Sequence, residues 1–204
     1  RDGGGAARSS RSTKLLLMFS GAYHRPDGLA QFARQLGLEV DLYDSDPNVG
    51  GGDAADITKE EVYEKLRERI VRGEYLAIIA APPCSTFSVT RHFAADGSKD
   101  DGPPVVRDRS NIRGLPNVPA KHLRELRQAN AVVARMTALL TAAFAAGTQY
   151  IIENPADRGD PAHPRRFLEA DHGPLWQMPE IRSLQSLSAK LATFPMCAFN
   201  APWQ

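Results

Sequence analysis

The order of apolar segments predicts an α/β fold built on a mainly parallel sheet with helices on both faces. Short apolar runs alternate with longer segments of helical periodicity, and a strand–helix–strand order brings successive strands into the sheet in the same direction. The 204 residues suffice for one domain with a sizeable core. We predict a single domain over residues 14–204, truncated at its C-terminus, after a disordered basic tail over residues 1–13 that is rich in Gly, Ser and Arg.

Four segments are typical of strands, and each ends at a turn signal. "KLLLMFS" ends in Ser-Gly, "LEVDLYDSD" turns acidic, "LAIIAA" stops at Pro-Pro, and "QYIIEN" stops at Pro155. The run "LAIIAA" is apolar throughout, which indicates a strand that is covered on both faces. The last residues, "FPMCAFNAPWQ", are also strand-like.

Three segments between or after these strands are predicted to be helical. Residues 26–37 carry apolar side chains at helical spacing and end at Gly37, which suits a C-cap. "DITKEEVYEKLRERIV" has Thr58 as a predicted N-cap, with Glu61 three residues later completing a capping box. Residues 121–146 form the longest predicted helix, with a very apolar second half. A short helix is expected soon after residue 182.

The composition excludes several classes of protein. Hydrophobic residues make up 42% and charged residues 24% of the chain, as in soluble globular proteins, and no apolar run is long enough to span a bilayer. The two cysteines cannot form a disulfide framework or a four-cysteine zinc site. We therefore expect an intracellular protein, nuclear or cytoplasmic, with no metal and no membrane partner. The sequence leaves the oligomeric state open.

The charges are unevenly distributed although the net charge is only +1. Residues 107–135 contain many cations and only two acidic residues, which is expected where phosphates are approached. A solvated helix face plus a loop is the alternative interpretation. The cations are Arg107, Arg109, Arg113, Lys121, Arg124, Arg127 and Arg135.

The residues that follow each strand are the candidates for chemistry, because ligands of parallel sheets bind beyond the carboxyl ends of the strands. Ser20 and Gly21 follow the first strand, where glycine lets the backbone approach a ligand closely. Asp44, with Asp46 in reserve, follows the second strand, where a carboxylate can accept from both ribose hydroxyls. The alternative is a surface turn. Asp56 suits either a helix start or a contact with an adenine amino group.

Cys84 and Glu153 form a sharper pair of candidates. A Pro-Pro-Cys turn fixes the backbone and presents a thiol just after the third strand, whereas a structural cysteine is usually an inert buried residue. A carboxylate directly after "QYII" is costly unless it is satisfied or used. Glu153 with Asn154 therefore indicates a site pair, and the alternative is a turn cap.

The segments "FSG", the acidic strand end, "DI", "PPCSTFS" and "ENP" occur in this order over residues 14–155. In order and approximate spacing they resemble the S-adenosylmethionine-dependent DNA cytosine-5 methyltransferases. The most specific piece is Pro-Cys-x-x-Phe-Ser joined to a later Glu-Asn. "PLWQMPEI" and the basic insertion are similar to divergent methyltransferase-like domains of viruses and retroelements. The resemblance implies a Rossmann-like methyltransferase fold, S-adenosyl-L-methionine as cofactor, and nucleic acid, DNA in particular, as partner.

The resemblance also assigns roles to individual residues. Cys84 matches the nucleophile that adds to cytosine C6, and Glu153 matches the carboxyl group that hydrogen-bonds N3 and the amino group of the base. The target base has to leave the duplex to be reached. The implied cofactor residues are Phe19, Ser20, Gly21, Asp44 at the ribose, Asp56 and Ile57 at the adenine, and Pro82. The implied substrate residues are Pro83, Phe87, Ser88, Arg113, Asn154 and Pro155.

The chain departs from the family pattern at three places. Tyr23 stands where the family has a second glycine, Ser85 stands where it has Gln, and an arginine-bearing strand after the Glu-Asn motif is not evident. In the segment after that motif, no target-recognition region and no final cofactor-pocket motif are recognisable either. Three hypotheses follow: an enzyme that methylates cytosine C5, a methyltransferase-like module that binds nucleic acid or cofactor without turnover, and a Rossmann-like domain that uses Cys84 in unrelated thiol chemistry. Cys84 together with Glu153 favours the enzyme, whereas the missing arginine and the missing recognition region favour the module.

Overall fold

The computed structural model of the chain describes residues 12–93, 103–187 and 189–194. Its strands are β1 (Lys14–Met18), β2 (Glu39–Tyr43), β3 (Ala77–Ala80) and β4 (Gln149–Ile152), and its helices are α1 (Leu29–Gln35), α2 (Glu60–Val71), α3 (Ala120–Ala145) and α4 (Pro179–Ser186). Most of the predicted tail, and the strand-like segment from residue 195 on, lie outside the described residues.

The four strands form one sheet in the order β2-β1-β3-β4, and every neighbouring pair is parallel. Leu16 of β1 is in register with Ile78 of β3, which is in register with Tyr150 of β4. The two central strands are the two most apolar runs of the sequence, as expected for strands with neighbours on both sides. The predicted α/β class with a parallel sheet is confirmed, and the arrangement is consistent with a Rossmann-like fold.

The handedness of the crossovers distributes the helices over the sheet. The step from β1 to β2 runs in one direction along the sheet, and the steps from β2 to β3 and from β3 to β4 run in the other. Because parallel crossovers are right-handed, α1 must lie on one face and α2 and α3 on the opposite face. The side chains on one face are almost completely buried, at 1% exposure or less: Leu16, Met18, Ile78 and Ala80.

The other face of the sheet is covered less completely. Helix α1 has only seven residues, and among its predicted apolar side chains Ala33 is buried whereas Leu29 and Phe32 are about half exposed. Ile151 on the edge strand β4 is also exposed. The periodicity of residues 26–37 thus predicted the helix correctly, but it did not predict how much of its apolar face is buried.

Helix α2 begins one residue later than the predicted capping box requires. Its N-cap is Lys59, and no side chain caps it. The Thr58 hydroxyl instead donates a hydrogen bond to Asp56 Oδ1 over 2.7 Å, before the helix begins. Glu60 and Glu61 occupy the first turn, where their negative charge suits the positive end of the helix dipole.

The internal contacts divide the chain into two compact units. The sheet unit comprises residues 1–81 and 138–153 and contains all four strands. The cysteine unit comprises Pro82–Thr137 and Asn154–Gln204 and contains the first part of α3 together with α4. Among the residues of both units that the structure describes, no helix is long and apolar enough to cross a membrane.

The cysteine unit has its own apolar core. Val106, Val118 and Leu126 form a buried cluster. Ile181 and Leu184 of α4 are also buried. The chain between these positions is largely irregular, so the core is built from loop and helix residues without a sheet of its own among the residues described here.

Leu66 and Val71 allow a test of the packing of α2. Leu66 is completely buried and Val71 is exposed on the same helix. Leu66→Ala should lower the free energy of unfolding by about 2–5 kcal/mol, because a large side chain is removed from a close-packed core. Val71→Ala should change it by no more than about 0.5 kcal/mol. Urea unfolding followed by circular dichroism measures both values, and equal losses in the two variants would contradict the packing described.

Candidate functional site

The chain turns sharply where β1 ends. Phe19 has a φ of 61°, and it is the one non-glycine residue with positive φ in the described ranges. Its N–H donates to Tyr43 O over 2.6 Å, which ties the turn to the end of β2. Gly21 follows with a φ of 65°. Side chains with a Cβ seldom occupy this region, and such strain clusters at ligand sites.

Two of the predicted cofactor residues are brought together at this turn. Gly21 N–H donates to Asp44 Oδ2 over 2.9 Å, and Asp46 N–H donates to Asp44 Oδ1 over 3.0 Å. The carboxylate of Asp44 is therefore fixed in orientation by two backbone groups. Since a carboxylate can accept about four hydrogen bonds, it keeps capacity for the two hydroxyls of a ribose.

Tyr23 performs a structural role in the place where the family pattern has a glycine. Its hydroxyl donates to Leu42 O over 3.0 Å and accepts from Asp44 N–H over 3.1 Å. Burial, outweighing the hydrogen bond from Asp44, raises the pKa of Tyr23, so the hydroxyl stays protonated. A Cβ on Gly51 would lie 1.7 Å from Asp44 O and 2.6 Å from the Tyr23 hydroxyl. Only glycine fits there, and the end of β2 is thereby packed against the first turn.

A cavity of about 260 Å³ opens beside the same turn. Its lining includes Phe19 and Ser20 from the end of β1, Leu29 from α1, and Ile79 and Ala81 from the end of β3. The cavity lies within the sheet unit, on the incompletely covered face of the sheet. It is large enough for part of a small ligand.

The other acidic candidates of the sheet unit are placed differently. Asp46 caps the short helical turn Pro47–Val49 by accepting from Asn48 N–H over 2.8 Å. Asp56 Oδ1 accepts from Thr58 N–H over 2.9 Å, so in this structure the carboxylate of Asp56 is bonded as expected for a residue at a helix start. Ile57 beside it is buried, and an adenine contact from this pair stays a prediction.

Glu153 directly follows β4, and its backbone N–H donates to Ala80 O over 2.9 Å. Its side chain is exposed. Its carboxylate makes no hydrogen bond or ion pair among the described residues, so it is not a turn cap there. The carboxylate is therefore available to a ligand.

In the cysteine unit, Cys84 lies on an exposed turn. Pro82 before it is buried, whereas Pro83 and Cys84 are exposed. Phe87 N–H donates to Cys84 O over 2.8 Å and closes the turn. The residues Cys84–Phe87 are hereafter the Cys84 turn. Because the thiol is exposed, the interpretation of Cys84 as an inert buried cysteine is wrong.

Two side chains hold the backbone carbonyls of the Cys84 turn. Arg91 Nε donates to Ser85 O over 2.5 Å. His172 Nε2 lies 2.7 Å from Phe87 O. His172 Nδ1 accepts from Arg158 N–H over 3.0 Å, so the imidazole proton must be on Nε2, which donates to the carbonyl.

A third side chain, Arg107, lies behind the turn and is 2% exposed. Its Nη2 donates to Thr86 Oγ1 over 2.9 Å, and its Nη1 donates to Ile112 O over 2.7 Å and to Asn130 Oδ1 over 3.1 Å. The guanidinium lies 3.8 Å from the centre of the Phe87 ring, in cation–π geometry. Its Nε has no hydrogen-bond partner within the part of the chain that the structure describes.

No carboxylate hydrogen-bonds Arg107 among the described residues. Burial, followed by repulsion from Arg91, lowers the pKa of Arg107 to about 10, and Glu125 partly offsets this. The guanidinium is still charged at neutral pH. A buried cation of this kind costs free energy, so the interactions around the Cys84 turn have to offset the cost.

The remaining predicted substrate residues also lie in the cysteine unit. Asn154 Nδ2 donates to Pro82 O over 2.9 Å, while its Oδ1 is buried and has no partner. Trp176 Nε1 donates to Pro155 O over 2.8 Å. Ser88 begins the helical turn Val89–His92 by accepting from Thr90 N–H over 3.2 Å. Asn154 is thus joined to the proline that precedes the turn, and its free acceptor can take a further donor.

The basic segment is not uniform. Arg107 is buried, Arg109 pairs with Asp157 over 2.6 Å, and Arg113 pairs with Glu180 over 2.7 Å while remaining 57% exposed. The expectation that the segment approaches phosphates therefore does not hold for Arg107. For Arg113, a phosphate would compete with Glu180.

Sequence reasoning missed the side chains that hold the Cys84 turn. Arg107 carries a signal only as one of several cations, and His172 carries none because Phe87 lies 85 residues away. Arg91 is only six residues from Ser85, but no sequence pattern marks an arginine that binds a turn carbonyl. Tyr23 did carry a signal, since it replaces a glycine of the motif.

No protein-family model, curated protein or solved structure matches the chain. Within residues 12–93, 103–187 and 189–194, no group of three or more His, Cys, Asp or Glu could hold a metal ion.

Arg107→Met tests whether the buried guanidinium holds the Cys84 turn. Removing its donors leaves Thr86 Oγ1 and two further acceptors without partners, which costs about 1–3 kcal/mol for each buried group. We expect hydrogen exchange at the Phe87 amide to accelerate at least about tenfold. Arg113→Met, which removes an exposed arginine of the same unit, should leave that amide unchanged. Equal protection in wild type and Arg107→Met would contradict the role of Arg107.

Proposed function

We propose that the chain catalyses S-adenosylmethionine-dependent methylation of cytosine C5 in DNA through a covalent adduct of Cys84 with C6. The observation that carries this proposal is the exposed Cys84 thiol on a turn whose next three residues are each held by a separate side chain. A fixed, accessible thiol is what nucleophilic catalysis requires. The resemblance of the flanking residues to the cytosine-5 family is the reason for proposing cytosine in DNA as the substrate.

The chemistry begins at the sulfur of Cys84. Once the thiol has given its proton to a base or water, a lone pair of the thiolate forms the S–C6 bond, and the electrons of the C5–C6 double bond make C5 nucleophilic. The family resemblance assigns Glu153 a protonated carboxyl group that donates a hydrogen bond to N3, where negative charge develops. When bound, the cofactor would supply a methyl group on a positively charged sulfur, which keeps the electrons of the broken sulfur–methyl bond and becomes a neutral thioether. After C5 has taken the methyl group, a base or water removes the C5 proton, the C5–C6 double bond re-forms, and the thiolate of Cys84 leaves.

The residues of the sheet unit fit the cofactor. Asp44 is fixed by Gly21 and Asp46 with acceptor capacity left for a ribose, and Phe19 and Ser20 line the adjoining cavity. Residues at the carboxyl ends of β1 and β2 are where nucleoside ligands bind in parallel sheets. Asp56 and Ile57 are assigned to the adenine on the resemblance alone.

The adduct itself tests the enzyme hypothesis. An oligonucleotide with 5-fluorocytosine at the target position, mixed with S-adenosylmethionine, should give a covalent complex, because the fluorine at C5 cannot leave as a proton does. Cys84→Ser should abolish the complex on a denaturing gel, and Cys197→Ser, the matched change at the second cysteine, should retain it. A complex in Cys84→Ser would overturn the mechanism. Absence of any complex with the wild-type chain would favour a binding module without turnover.

Asp44→Asn tests the cofactor assignment by calorimetry with S-adenosylhomocysteine. Asparagine has nearly the same shape but loses one anionic acceptor, and a hydrogen bond to a charged group contributes about 1.5–3 kcal/mol. We expect at least about a tenfold weaker Kd. Asp46→Asn is the control, since asparagine caps a helical turn as well as aspartate and should leave the Kd unchanged. Equal affinities of the wild type and Asp44→Asn would remove Asp44 from the site.

A further inference from the structure

The exposed cations of the basic segment share one side of the first part of α3. Lys121, Arg124 and Arg127 recur every three residues, and all three are exposed. None of them makes an ion pair or side-chain hydrogen bond among the described residues, in contrast to Arg107, Arg109 and Arg113. We call these three residues the basic strip. Side chains three residues apart are neighbours on a helix surface, so their charges act together.

Helix stability does not explain the basic strip. The N-terminal end of a helix favours negative charge, and α2 follows this rule with Glu60 and Glu61 in its first turn. Helix α3 has no acidic residue in its first turn, and Lys121 and Arg124 lie near that end. Local rules are broken mostly where function requires it. A bound anion is the partner that would compensate these charges.

The basic strip lies on the helix that is bonded to the Cys84 turn. Glu125, next to Arg124, accepts from Arg91 Nη2 over 2.5 Å. Arg91 in turn donates to Ser85 O. Burial raises the pKa of Glu125, but the hydrogen bond from Arg91 leads the contributions that hold it below its usual value, so this link is ionised at neutral pH. The nucleophile and the basic strip therefore belong to one connected part of the cysteine unit.

We propose that the basic strip is a docking surface for the phosphate backbone of duplex DNA. It extends about 9 Å along the helix axis, a length over which a duplex carries about five phosphate charges. Gln128 and Ala131 continue the exposed side of the helix beyond Arg127, so the surface lacks the large apolar residues that membrane-binding helices insert. This inference rests on the proposed function for its partner, and it adds the surface that anchors the partner.

The test is the salt dependence of DNA binding by the full chain. Fluorescence anisotropy of a labelled duplex over a series of KCl concentrations gives the slope of log K against log salt. Changing Lys121, Arg124 and Arg127 together to Gln should lower the magnitude of that slope by about 2–3. The control changes Lys65, Arg67 and Arg72 to Gln, which removes the same charge from α2 and the residue after it, and should leave the slope nearly unchanged.

The outcomes separate the two proposals. If the wild-type chain does not bind DNA, the proposed function loses its partner and this inference falls with it. If the wild-type chain binds DNA but both triple variants give the same slope, the basic strip is not the docking surface, while the proposed function stands. A slope change seen with single-stranded RNA and not with duplex DNA would also overturn the inference.

Thermal unfolding followed by far-UV circular dichroism gives a second test. The variant that lacks the basic strip should be at least as heat-stable as the wild type, because the cations of the strip oppose the helix dipole. A less stable variant would contradict the inference.

Discussion

A positive charge that water does not reach holds the turn on which Cys84 lies. Removing the Arg107 guanidinium from water costs several kcal/mol even after relaxation, and no carboxylate hydrogen-bonds it among the described residues. The cost is offset by hydrogen bonds to Thr86, Ile112 and Asn130 and by the ring of Phe87. A well-packed apolar side chain would fill the same space at lower cost. The arginine instead provides geometric specificity, because its planar set of donors fixes two loops and a helix relative to one another.

The parts of the fold that follow from local pattern could be predicted from the sequence. The central strands β1 and β3 are short apolar runs bounded by turn residues, and α3 has both the periodicity and the length of a helix. The burial of α1 could not be predicted in this way. Periodicity shows that a helix has an apolar face, but the extent of its burial depends on the area that neighbouring elements offer, and α1 covers only part of its face of the sheet.

The candidate site likewise contains some residues that could be predicted from the sequence and others that could not. Asp44 and Gly21 were singled out because parallel strands end at one edge, and the structure joins them by a hydrogen bond. Asp56 could not be assigned from sequence, because an aspartate before a helix has the same appearance whether it caps the chain or binds a ligand. The hydrogen bonds that Arg107 and His172 make to the Cys84 turn could not be predicted, since Thr86 is 21 residues from Arg107 and Phe87 is 85 residues from His172. Nothing in local sequence encodes such pairs.

Whether a basic segment can bind an anion depends on which of its cations are already buried or paired in the fold. In residues 107–127, Arg107 is buried in the support of a turn, Arg109 and Arg113 are paired with carboxylates, and three cations on α3 are left to solvent. Only the last group is free to attract a polyanion, and only the folded structure separates it from the others. Because Glu125 on the same helix binds the arginine that holds Ser85, a nucleic acid docked on α3 would be anchored to the same set of contacts that holds the Cys84 turn. The free energy gained from the phosphate contacts would then position the base against Cys84. Contacts remote from the reacting atoms would in this way lower the activation barrier.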